Sequence, residues 1–223
     1  MQIKINVNLF IFIIIFYITR QIEIYALLML FAFIHEIGHV ISGIILGFRP
    51  KSLHIMPFGI AVEFNTYVQD YNKKIICGNI LNLKKLLIAL AGPMTNFIII
   101  LICYMWNGDF YGINSKYIIY ANLLLGIFNL LPIYPLDGGR IMKEIITIFY
   151  GRREALNFTN KVSNINLCII TAVSSVAIYY FKNIAILLII IYLWIVIIRE
   201  NRKYNINMKI YKQIKKGEIQ NRI

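Results

Sequence analysis

Phe33-Ile34-His35-Glu36-Ile37-Gly38-His39-Val40 sits in the middle of an apolar stretch that runs from residue 22 to residue 47. About 20 apolar residues suffice to cross a bilayer as a helix. On a helix, positions four apart lie about 40° apart around the axis and about 6 Å apart along it. His35 and His39 can therefore aim two imidazoles at one metal ion. Glu36 lies beside them, where it can take a proton from water held by that ion. Neutral imidazoles with one carboxylate suit Zn2+, one ion per chain, with a fourth position open to water. Three ionisable groups near the middle of a span cost several kcal/mol in total even on the lower insertion scales. Chemistry rather than packing explains such a placement.

Working outward, the rest of the chain agrees with a membrane setting. Of 223 residues, 59% are hydrophobic and 15% charged, against about 45–50% and about 25% in soluble domains. Apolar stretches cover roughly 6–19, 22–47, 86–106, 117–136, 163–181 and 183–198. The expected fold is an all-α polytopic membrane protein of about six transmembrane helices. A small membrane-associated β element follows the second span, at Ile55–Phe64, where the run is strand-like and too short to cross. The expected domains are a six-span unit over 1–198 and a basic tail over 199–223. All Lys and Arg residues except Arg20, Lys116 and Lys182 then fall on one side. The positive-inside rule places that side, with both termini, in the cytoplasm.

The net charge of +13 raises nucleic-acid binding as a class. The positive charges lie between apolar stretches and in the tail, which suits orientation and anionic lipid instead. No nucleic-acid partner is expected. Cys77, Cys103 and Cys168 are far apart and form no CxxC pair, so neither a disulfide framework nor a cysteine metal site is suggested. Lys4 and the apolar run after it imitate a signal peptide. Arg20-Gln21-Ile22-Glu23 follows in place of a small-x-small cleavage site, so the run reads as a retained span.

The two histidines need a third metal ligand. Ten acidic residues are available, and most lie in loops or the tail. Asp137 stands out because it follows an apolar span within Asn129-Leu130-Leu131-Pro132-Ile133-Tyr134-Pro135-Leu136-Asp137-Gly138-Gly139-Arg140. Two prolines break the helical ladder and two glycines permit unusual dihedrals. Broken backbone at membrane depth requires protein or a watery cavity around it. A buried metal site meets that need, and a plain surface turn is the alternative. His54, the third histidine, reads as interfacial and structural.

His35-Glu36-Ile37-Gly38-His39, the Asn129-to-Arg140 segment, and Ala91-Gly92-Pro93-Met94-Thr95-Asn96 at the start of the third span occur in the order expected of one family. Together they resemble the site-2 protease family of intramembrane metalloproteases, over most of residues 25–145. Within it the chain is most similar to the six-span group around the stage IV sporulation protein FB. The resemblance implies zinc held by His35, His39 and Asp137, with Glu36 as general base. It implies that Asn129 and Pro135 position an extended substrate. Asn96 would line the site and help stabilise the transition state; by itself it reads equally as a helix–helix hydrogen bonder.

Group members often carry a C-terminal nucleotide-sensing CBS domain. Residues 199–223 are too few for one, which speaks against nucleotide regulation through such a domain. The resemblance also implies a membrane-associated protein substrate, such as a sporulation pro-sigma factor, in a bacterial cytoplasmic or forespore membrane. An anti-sigma factor or a signal-peptide remnant is the alternative substrate. An inhibitory membrane partner is left open. Two rivals differ in class: a metal carrier, which would want ionisable groups along several spans, and a zinc-binding membrane protein that does not cut.

Overall fold

The structure is a computed structural model that describes residues 2–5, 8–56, 59–65, 75–106, 108, 114–181 and 184–220. It divides into two compact units, Met1–Leu131 and Pro132–Ile223.

The first unit opens with strand β1 (Gln2–Ile5) and helix α1 (Asn8–Ile18), followed by α2 (Ile22–Ile45). Strands β2 (Arg49–Met56) and β3 (Gly59–Asn65) come next, then α3 (Ile75–Trp106) and α4 (Ser115–Asn129). The 24 residues of α2 rise about 36 Å, enough for a hydrocarbon layer of about 30 Å. The expected β element is present as the antiparallel β2–β3 pair, although Pro57 and Phe58 between the strands lie outside the described residues. A third strand was not expected. Gln2–Ile5 pairs in parallel with Ser52–Ile55, giving the order β1-β2-β3.

Small residues set how closely these elements approach. A Cβ at Gly43 would come within 2.5 Å of the Phe64 ring, so β3 lies directly on α2. A Cβ at Gly38 would overlap Thr95 Oγ1 and lie 3.1 Å from the Ala91 carbonyl oxygen, so α2 and α3 nearly touch backbone to backbone there. Phe31, Cys103, Ile118 and Ala121 form a buried cluster from α2, α3 and α4. At the end of α2, Lys84 Nζ from α3 donates to the Leu46 carbonyl at 3.1 Å. A cation placed there complements carbonyls that have no helical partner.

The second unit holds α5 (Asp137–Tyr150), α6 (Arg152–Phe181) and α7 (Ile184–Gln220). The apolar stretch expected to span over 117–136 ends as helix at Asn129. Helix α5 occupies what composition suggested was loop, and the basic tail continues α7 without a break to Gln220. Gly151 separates α5 from α6 at φ +84°, a conformation that glycine adopts without steric cost.

Among the described residues, Ile22–Ile45, Asn79–Trp106 and Arg152–Tyr180 are long and apolar enough to cross a membrane. With three such helices the chain is an integral, multi-pass membrane protein. The other apolar stretches are helical too, as α1, α4 and the first half of α7.

Candidate metal centre

His35 and His39 lie one helical turn apart on α2, and each is only 3% exposed. Their Nε2 atoms stand 3.2 Å apart. Two nitrogens bound to one tetrahedral zinc at about 2.0–2.1 Å would be about 3.3–3.4 Å apart. The rings cross at 84°, edge to face.

Each ring is held from behind. His39 Nδ1 is 2.6 Å from the Ile88 carbonyl oxygen. A carbonyl can only accept, so Nδ1 carries the proton and Nε2 keeps its lone pair for a metal. The bond falls just before Pro93, which sits inside α3 and removes the N–H that the Ala89 carbonyl would use. His35 Nδ1 faces the Asn96 amide, with Nδ2 at 3.1 Å. Asn96 is fully buried, and its Oδ1 has no hydrogen-bond partner. A half-turn of the amide costs no space and brings Oδ1 to His35 Nδ1–H. In that orientation His35 would carry its proton on Nδ1 and keep Nε2 for a metal.

Gly92 lets α3 approach both imidazoles closely. A Cβ there would overlap His39 Nε2 and lie 2.6 Å from His35 Nε2. Any side chain at this position would push against both imidazole rings. Sequence reasoning saw Gly92 only as part of a motif. Its sole sequence signal is a glycine next to a proline inside an apolar helix.

Asp137 is the first residue of α5 and is 5% exposed. Leu136 N–H donates to the Ile133 carbonyl at 2.7 Å, closing the turn that delivers the carboxylate. Gly139 makes that turn fit, since a Cβ there would overlap the Ile133 carbonyl carbon and Tyr134 N. Arg140 Nη1 stands 3.7 Å from Asp137 Oδ1. Tyr134 N–H donates to Ser163 Oγ of α6 at 2.9 Å, tying the same segment down.

His35, His39 and Asp137 are all buried. Two buried imidazoles at this spacing, one with its tautomer fixed by the Ile88 carbonyl, fit zinc. Glu36 is half-buried and next in chain to His35. Asn129 ends α4, and Pro135 lies two residues before Asp137; both are half-buried. For His54 the backbone is described, in β2, but not the side chain.

The chain matches the model of Peptidase family M50 over residues 23–112 and 114–173. A zinc metalloprotease of Methanocaldococcus jannaschii is 24% identical over 201 residues, covering 88% of this chain and 54% of that protein. Stage IV sporulation protein FB of Bacillus subtilis is 27% identical over 143 residues, covering 62% of this chain and 46% of that protein. The chain spans about half the length of the curated relatives it matches. The solved site-2 protease from Methanocaldococcus jannaschii shares its fold, with a TM-score of 0.65 at 21% identity and 89% of each chain covered.

Proposed function

Since this chain belongs to Peptidase family M50, we propose that it is a zinc-dependent endopeptidase that cuts a membrane-associated protein substrate within or near the bilayer. The observation that carries this reading is a pair of buried imidazoles one turn apart on α2, their Nε2 atoms 3.2 Å apart as two ligands of one zinc would be. His35, His39 and Asp137 would hold the ion. Zinc, when bound there, supplies a Lewis acid that polarises a carbonyl and brings the pKa of a bound water to about 7.

The remaining chemistry falls to the chain itself. Glu36 takes the proton from the attacking water and returns it to the leaving amine. Asn96 acts as a positioning residue through His35 Nδ1. Asn129 and Pro135 guide the substrate in extended form. The scissile carbonyl of a helical substrate is shielded, so the substrate must unwind before it is cut. The outer edge of β1 or β3 offers a strand to pair with it.

For the substrate, a pro-sigma factor competes with an anti-sigma factor and a signal-peptide remnant. The archaeal relative matches over more of this chain than the sporulation protein does, 88% against 62%, so a sporulation role is not preferred. The basic loops and tail support cytoplasmic termini. Regulation by an inhibitory membrane partner stays part of the proposal.

The test is co-expression with a tagged membrane substrate, comparing wild type with Glu36→Gln. Wild type should cut, and a zinc chelator should stop it. Glu36→Gln should lose about 100-fold or more in rate while keeping its zinc. Undiminished cleavage by Glu36→Gln removes Glu36 from the base role. Zinc retention without cleavage of any substrate by wild type favours the non-proteolytic alternative.

A further inference from the structure

Within the second unit, α5, α6 and α7 surround a cavity of about 160 Å³. That is about ten times the space one water needs. Its wall includes Lys143 of α5, Thr159 and Ser163 of α6, and Glu200, Asn201 and Lys203 of α7. These positions lie near the start of the α6 span and just past Arg199, where the apolar half of α7 ends. The cavity therefore sits at the polar end of both helices.

The hydrogen-bonding inventory of the wall is unbalanced. Thr159 is 3% exposed, and its Oγ1 has no partner. Ser163 Oγ accepts from Tyr134 N–H, so its own proton points elsewhere. Lys143 Nζ lies 4.6 Å from the centroid of the Tyr134 ring, the face of which accepts a cation but no strong hydrogen bond. Lys203 is paired with Glu200 at 2.6 Å, so that pair contributes little net charge. Asn201 Nδ2 donates to Asn164, which leaves the buried Asn201 Oδ1 as an acceptor without a donor. Beside Asn160, Tyr204 and Asn207, which also line it, the wall offers the Lys143 cation, the Thr159 and Ser163 hydroxyls and the Asn201 Oδ1 acceptor.

We propose that this cavity binds a phosphate group that carries, or adjoins, a hydroxyl. The phosphate oxygens answer Lys143, Thr159 and Ser163, and the hydroxyl answers Asn201 Oδ1. A sulfate has no proton for Asn201 at neutral pH, and an uncharged polyol does not answer the lysine. Two sources share this chemistry. One is free phosphate or a small phosphomonoester; the other is the headgroup of an anionic phospholipid at the membrane boundary.

The test uses the 223-residue chain in neutral detergent and reads its thermal midpoint. Inorganic phosphate should raise the midpoint in a saturable way, with sulfate at equal ionic strength at least tenfold weaker. Thr159→Val and Lys143→Met should each weaken the phosphate effect at least tenfold. A second arm places the protein in phosphatidylcholine nanodiscs with or without phosphatidylglycerol. Stabilisation by phosphatidylglycerol alone, lost in Thr159→Val, assigns the site to lipid and upholds it. The proposal is overturned if phosphate and sulfate act equally on wild type and phosphatidylglycerol adds nothing that depends on Thr159. The anion comparison and the phosphatidylglycerol comparison can both be read on wild type, so the absence of both effects there overturns the proposal even if a variant misfolds. No cleavage is read, so the outcome is independent of the peptidase reading.

Discussion

Gly92→Ala is the most discriminating single change at the candidate centre. The added Cβ would lie 2.6 Å from His35 Nε2 and overlap His39 Nε2. An ordinary carbon–nitrogen contact is about 3.5 Å, so both rings must retreat by roughly 1 Å. Metal sites tolerate ligand displacements of about 0.2 Å. The backing bonds to Ile88 and Asn96 leave the rings little room to move away. Zinc affinity should fall by about 100-fold or more, which is about 2.7 kcal/mol. Alanine is the better helix former by up to about 1 kcal/mol, so lost helix propensity is not a competing cause. The assay is zinc content of the purified variant after dialysis against graded chelator, with circular dichroism to verify helix content. Wild-type affinity in a folded Gly92→Ala protein would refute the reasoning that the close approach of Gly92 holds both rings in their ligating positions.

Three further outcomes follow from the same geometry. Asn96→Leu should lower zinc affinity by about 10–100-fold, because His35 loses the partner that fixes its tautomer; equilibrium dialysis reads this. Asp137→Asn should leave purified protein with less than half the wild-type zinc content in elemental analysis, since a neutral amide is a poor zinc ligand. Gly139→Ala should destabilise by about 1–3 kcal/mol, because its Cβ displaces the Ile133–Tyr134 backbone; the thermal midpoint in detergent should drop accordingly.

Much of this site is legible in the sequence because its signals are local. His35 and His39 sit at helical spacing inside an apolar run, and nothing but their order is needed to aim them together. Asp137 is marked by the prolines and glycines around it. The β2–β3 pair is legible from a short apolar run ahead of a polar stretch. The parts that stay hidden depend on tertiary neighbours. Four residues of β1 are too few to show a period and gain their structure by pairing with β2. Helix α5 is masked by Gly138 and Gly139, which argue against a helix by propensity. Gly139 is needed because the helix starts hard against its own preceding turn. The roles of Gly92 and of the Ile88 carbonyl come from α3 lying against α2, which no window along the chain reveals. The contact of the Asn96 amide with His35 Nδ1 is likewise a tertiary one that sequence order does not reveal.

X-ray absorption at the zinc edge of the purified wild-type chain tests the three-residue centre most directly. Two imidazole nitrogens at about 2.0–2.1 Å and oxygen ligands at about 2.0–2.2 Å are expected, with one zinc per chain. A sulfur shell at about 2.3 Å, a single imidazole, or zinc far below one per chain would contradict a site built from His35, His39 and Asp137.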